Sequence, residues 1–130
     1  MKGINIIKSF LKNNTLRLQL VKSNKIIGEA RASFQMLSPI SKISHLEIDK
    51  EYRKQGYGSY LLKNLENVLT NELDSNTFEI RSWQKQSDYL NDFYKKQGYT
   101  SYHFKSICEP KFIDDGEDIY DLYKFKKTCN

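Results

Sequence analysis

The chain predicts a single α/β domain built on a mixed sheet, and three observations predict it. Apolar and polar residues alternate from Leu16 to Lys22, apolar residues recur at helical spacing from Ser59 to Leu73, and strand-like and helix-like stretches interleave through the second half of the chain. Of the 130 residues, 38% are hydrophobic and 28% charged, the composition of a compact globular domain. A chain of this length buries about two-thirds of its unfolded surface and needs neither disulfide nor metal to hold a core.

Taken in order, Ile4, Ile6 and Ile7 suit a short strand or one or two helical turns. The alternation of Leu16, Leu18 and Leu20 with Arg17 and Gln19 has the period of a half-buried strand. Ser23-Asn24-Lys25 supplies a tight turn into a second strand from Ile26 to about Gln35, and after the Ser38-Pro39 break a third strand runs from Lys42 to Ile48. Leu61, Leu62, Leu65, Val68 and Leu69 then form the apolar stripe of one helix, with Lys63, Asn64, Glu66 and Asn67 expected to face water. Thr77 to Trp83 reads as a strand, and Asp88 to Gln97 as a second helix with Ser87 at its N-cap and Gly98 at C′. Tyr99 to Ile107 and Ile119 to Phe125 are the closing strands. No repeat, low-complexity tract or linker divides residues 1 to 130.

A formal charge of +5 favours an anionic partner, with nucleic acid, a nucleotide cofactor and a membrane surface as the general candidates. The cations are scattered and no RNA-recognition motif accompanies the aromatic residues, so nucleic acid is not the expected partner. Apolar runs such as Leu61-Leu62 are too short to span a bilayer, and the N-terminus lacks a signal peptide's apolar segment. The expected location is the cytoplasm, where Cys108 and Cys129, which could in principle pair, are expected to stay reduced thiols. With only His45 and His103 beside them, no metal-ligand cluster is expected.

The segment joining the third strand to the first helix is Ile48-Asp49-Lys50-Glu51-Tyr52-Arg53-Lys54-Gln55-Gly56-Tyr57-Gly58-Ser59. Gly56 and Gly58 permit a tight turn that points several N–H groups outward together at the positive end of a helix dipole, a geometry that cradles a phosphate or pyrophosphate, with Arg53 and Lys54 at its rim. A Walker loop does not fit, because Gly58 is followed by Ser59-Tyr60 rather than Lys-Ser. A dinucleotide fingerprint from Gly56 fails at Leu61, where a third small residue is needed.

Arg53-Lys54-Gln55-Gly56-Tyr57-Gly58 resembles the Arg/Gln-x-x-Gly-x-Gly/Ala loop of the GNAT N-acetyltransferases. Ile48 to Tyr52 is similar to that family's lead-in, with Lys50 where proline is usual, and Phe93-Tyr94-Lys95-Lys96-Gln97-Gly98-Tyr99 resembles its Phe-Tyr-x-x-x-Gly-Phe segment. The resemblance covers about residues 16 to 125 in element order. It implies a mixed, mostly antiparallel sheet whose Lys42–Ile48 and Thr77–Trp83 strands splay apart to admit acetyl-CoA, with flanking helices. It also implies that Arg53, Lys54, Gln55, Gly56, Tyr57, Gly58 and Ser59 hold the pyrophosphate and that backbone near Leu46 and Ile48 pairs with the pantetheine arm.

In the family's reaction a neutral amine attacks the thioester carbonyl, a tetrahedral oxyanion forms and the CoA thiolate leaves. Tyr94 stands where the family places the tyrosine that protonates the sulfur, a role open to a phenol with pKa about 10; without the resemblance it reads as a core residue beside Leu90 and Phe93. Ser87 occupies a cofactor-side position where asparagine is frequent, and lacks an amide's paired donor and acceptor. Lys42 and Ser44 stand where some relatives carry a glutamate base, leaving His45, Glu47, Glu79 or water to take the amine proton. Trp83 reads as packing or as a substrate platform.

The family's usual N-terminal strand and two helices cannot all fit in Met1 to Asn14, so those helices are expected to be shortened or absent, with the acceptor side open or completed by a second copy. The expected acceptor is an amine on a small molecule or polypeptide. The alternative is a non-catalytic CoA- or RNA-binding module on the same fold.

Overall fold

The computed structural model describes residues 3–84, 89–107 and 120–128. Its strands are β1 (Ile4–Leu11), β2 (Thr15–Lys22), β3 (Lys25–Ser33), β4 (Ile40–Ile48), β5 (Thr77–Gln84), β6 (Thr100–Ile107) and β7 (Tyr120–Thr128), and its helices are α1 (Tyr57–Leu73) and α2 (Tyr89–Lys96). They form a mixed sheet of order β1-β2-β3-β4-β5-β7-β6 in which β4 and β5 are parallel. The chain comprises two compact units, Met1–Phe78 with Cys129–Asn130, and Glu79–Thr128.

In the first unit β1 to β4 form an antiparallel meander. The N-terminal isoleucines take the strand option: β1 turns directly into β2 through Asn13 and Asn14, both at positive φ, and no helix stands between them. The β2–β3 connection is tighter than expected. Ser23 and Asn24 alone make it, at φ 50° and 64°, so Lys25 already belongs to β3. Two residues at positive φ give a hairpin turn whose twist matches the strands.

One face of this meander is apolar because Leu16, Leu18 and Leu20 all point to it and are fully buried, with Ala30 and Ala32 alongside on β3. Leu61, Leu62, Leu65 and Leu69 of α1 close over them. Each such leucine contributes roughly 1.5–3 kcal/mol by leaving water. Gly28 sits in the same layer, where a Cβ would come within 2.5 Å of Ile48 Cδ1 and 3.1 Å of the Glu47 carbonyl, so a larger residue crowds β4 unless Ile48 shifts. Glu66 departs from the expected water-facing position: it is buried at 7% exposure, since it lies one turn after Leu62 and beside Leu65 at the edge of the stripe.

Two irregularities break strict alternation. The β2–β3 register slips at Ile27, whose carbonyl then accepts from Asp49 N–H at 2.7 Å, and the β3–β4 register slips at Ser44. Ser41 and Ile43 before the second slip are buried, as is Ile48 after it, so the inward parity changes from odd to even. β5 begins beside β4, with the Asn76 and Thr77 amides both donating to the Pro39 carbonyl.

In the second unit β6 and β7 form an antiparallel hairpin. α2 ends at Gly98, φ 94°, with Gly98 N–H donating to the Lys95 carbonyl and Tyr99 N–H to that of Tyr94. That is the C′ role expected of this glycine. Lys127 donates to the Gln97 carbonyl at 2.9 Å, placing a cation at the negative end of α2. Ser87, Cys108 and Cys129 lie outside the described residues, as do the side chains of Trp83 and His103.

Candidate active site

The loop between β4 and α1 is built from its own backbone. After Ile48 a single 3-10 turn, Lys50–Tyr52, is closed by Tyr52 N–H to the Asp49 carbonyl at 2.9 Å and Arg53 N–H to that of Lys50 at 3.4 Å. The Arg53 side chain folds back, its Nε donating to the Ile48 carbonyl at 2.8 Å. The Gln55 amide reaches the Glu51 carbonyl at 3.4 Å. Lys54 at φ 62° and Gly56 at φ 87° then turn the chain into α1. Gly56 is the N-cap, so the helix starts at Tyr57, earlier than the apolar period indicated, and Gly58 lies inside its first turn.

The first amide bonded within α1 is that of Tyr60, to the Gly56 carbonyl at 3.1 Å, and no side chain caps this end. The amides of Tyr57 and Gly58 therefore meet the general condition of helix N-termini, donors with no intrahelical acceptor, where the dipole is positive. Arg53, Lys54, Gln55 and Gly56 are exposed, while Gly58 and Ser59 are half-buried. An exposed turn with a left-handed glycine, amides at an uncapped helix start and two flanking cations fits a doubly charged pyrophosphate.

Tyr57 is different in kind: its ring is buried at 8% exposure and its hydroxyl accepts from Lys22 Nζ at 2.8 Å. That hydrogen bond, with the two tyrosine oxygens nearby, pushes the Lys22 pKa up. The Lys22 ammonium also lies 5.3 Å from the Tyr57 ring centre and 5.7 Å from that of Tyr52. Lys25 lies 5.5 Å from the Tyr52 ring and 3.9 Å from Glu51. Both ends of the β2–β3 turn thus grip the loop, a link sequence inspection missed, because nothing local pairs a lysine with a tyrosine 35 residues on.

Further along β4, Leu46 is half-buried and Ile48 buried, and the Ile48 carbonyl has one lone pair engaged by Arg53. His45 and Glu47 lie on one face of β4, with His45 Nε2 3.6 Å from the Glu47 carboxylate. Ser44, the slipped residue, instead reaches the Arg31 carbonyl at 3.4 Å. Among the described residues no group of histidine, cysteine and acidic side chains could hold a metal.

Tyr94 lies on α2 in the second unit at 7% exposure. Its ring meets Phe125 at 4.9 Å, Phe93 at 5.3 Å and Tyr99 at 6.0 Å. Burial pushes its pKa up to about 12, so the phenol stays protonated throughout the neutral range. Glu79 on β5 is half-exposed.

A family model of the acetyltransferase (GNAT) domain matches residues 5–116. No curated protein sequence matches the chain. Among solved structures, a GNAT family acetyltransferase from Elizabethkingia anophelis with acetyl-CoA bound aligns at TM-score 0.76 and 14% identity, covering 98% of this chain and 99% of that one. The ribosomal-protein-S18-alanine N-acetyltransferase of Escherichia coli aligns at 0.77 and 18%, covering 92% and 72%. A Bacillus subtilis acetyltransferase in complex with CoA aligns at 0.72 and 15%, covering 92% and 80%. At these identities the structures speak for the fold, which is the mixed, GNAT-like sheet the resemblance implied. With the family model spanning most of its length, the chain belongs to the GNAT acetyltransferases, a family of acetyl-CoA-dependent N-acetyltransferases.

Proposed function

We propose that residues 1 to 130 act as one domain that moves the acetyl group of acetyl-CoA to a primary amine. The observation that carries this reading is the start of α1, where a left-handed Gly56 opens an uncapped helix onto an exposed, cation-flanked turn. The backbone amides of Gly56, Tyr57, Gly58 and Ser59 bind the pyrophosphate, with Arg53, Lys54 and Gln55 around it. Ser87 adds a hydroxyl on the cofactor side. Leu46 and Ile48 offer main-chain groups to the pantetheine arm.

Bound acetyl-CoA supplies a thioester carbonyl open to attack by a neutral amine. Tyr94 holds a proton that it gives to the departing sulfur, and its high pKa keeps that proton in place at every pH where an amine of pKa about 10 begins to lose its own. His45, Glu47, Glu79 or a water accepts the amine proton.

Two variants test the reading. Acetyl-CoA is expected to raise the wild-type Tm by mass action, and Gly56→Val to remove that rise while urea unfolding stays cooperative; an undiminished rise overturns the pyrophosphate assignment. Tyr94→Phe is expected to lower kcat about 100-fold or more with acetyl-CoA affinity little changed. Equal turnover returns Tyr94 to a packing role, and a Tm rise with no CoA released from acetyl-CoA in the presence of any amine supports a binding module instead.

A further inference from the structure

On the sheet face turned away from α1, two arginines stand directly opposite each other. Arg17 of β2 and Arg31 of β3 are register partners, and Arg31 is in turn the partner of His45 on β4. Like charges in opposed positions repel. Arg31 is compensated, its Nε donating to Glu29 Oε2 at 2.8 Å, and His45 has Glu47 at 3.6 Å. Arg17 is not compensated: its Nε is buried with no hydrogen-bond partner, although the residue as a whole is only half-buried. Among the described residues no ion pair or hydrogen bond offsets the Arg17 charge, and with the residue half-buried the outer end of its guanidinium is left to attract a carboxylate from outside.

Access to this face is open among the described residues of the first unit. α1 covers the opposite face, that of Leu16, Leu18 and Leu20, and its Glu72 bridges to Lys8, the register partner of Leu18. β1 passes to β2 by a short turn and leaves no helix on the Arg17 side.

We propose that Arg17 is the receptor for a carboxylate side chain of a polypeptide acceptor lying across this face. The outer edge of a guanidinium, its two Nη groups, takes a carboxylate end-on in a two-bond fork. The proposal rests on the acetyl-transfer reading only for where the reacting amine lies. An amine acetylated alongside β4 is two inter-strand spacings from β2, about 10 Å, which about three extended residues span. The preferred acceptor therefore carries Asp or Glu about three residues from its N-terminal amine.

The test uses two fluorescent peptides with free N-termini that differ only in Asp or Asn at the third residue. The full chain without acetyl-CoA is expected to bind the Asp peptide about tenfold tighter or more, an advantage that shrinks as salt is raised. Arg17→Met should erase that advantage while leaving Tm unchanged or higher, because it removes the unmatched donor and keeps the side chain's length. Arg17→Lys should keep a weaker, more salt-sensitive preference, since it preserves charge and loses the fork. Equal binding of both peptides overturns the proposal, as does a Tm fall of several degrees in Arg17→Met, which marks a structural residue. CoA release is read separately: binding preference without turnover defeats the acetyl-transfer reading alone, and turnover with no preference defeats this one alone.

Discussion

The burial that pushes the Tyr94 phenol up to about 12 also links stability to alkaline pH. An unfolded tyrosine ionises near 10, so its burial stabilises the fold in full below about pH 10, and that contribution falls away as pH rises through 12, by about 2–3 kcal/mol in all. Urea midpoints at pH 9 and 11.5 should show a smaller alkaline loss in Tyr94→Phe than in wild type; equal losses would assign the effect to other groups. Lys22 acts on the other unit. With Lys22→Met the Tyr57 hydroxyl loses its donor and the Tyr52–Tyr57 pair its cation, so KM for acetyl-CoA is expected to rise about fivefold with kcat unchanged. A change in kcat alone would place Lys22 in the chemistry rather than in loop support. At this scale the turn at Gly56 was legible in the sequence, because a left-handed residue at a helix start favours glycine. The Lys22–Tyr57 bond was not, because it is set by a turn bringing β2 and β3 against a distant loop.

Among the elements, the periods of β2 and α1 were legible and their irregularities were not. Alternation of Leu16, Leu18 and Leu20 marks β2 because every second side chain must leave water. The slips at Ile27 and Ser44 depend on which residue of the neighbouring strand is paired, and no single strand's composition records that. Gly28 reads locally as a weak strand residue, yet the Ile48 and Glu47 atoms around it leave little room for a Cβ. Gly28→Ala is expected to destabilise by about 1–3 kcal/mol through overpacking, measured as a lower urea midpoint at unchanged slope; an unchanged midpoint would show that Ile48 yields freely. At the end of α1, Asp74 adopts φ 57° as C-cap. Asp74→Gly should leave stability unchanged or raise it by up to about 1 kcal/mol, as glycine bears that conformation at no steric cost.

For the whole molecule, the proposed acetyl transfer meets an acceptor side where, among the described residues, no helix stands between β1 and β2. A face without walls buries little of a small amine, and few buried contacts give little discrimination. Polyamines and aminoglycosides should therefore be acetylated slowly, with kcat/KM values close to one another, and N-terminal peptides faster. High kcat/KM for one small amine with rejection of its close analogues would contradict this; if light scattering then shows a dimer, the second copy supplies the wall.

What the sequence by itself determined is the periodic part of the fold and the glycine turn that opens α1. Apolar residues at two and at 3.6 residue spacing can be satisfied only by a half-buried strand and an amphipathic helix, and Gly56 before an uncapped helix end predicts an anion cradle from backbone alone. Only the tertiary structure decided which side chains brace the β4–α1 loop, where β4 changes parity, that Glu66 is buried, and that Arg17 is left without a partner beside Arg31. These are properties of pairs of residues far apart in the chain. Their energies depend on the register and distance at which folding brings them together, quantities that exist only once neighbouring strands have paired.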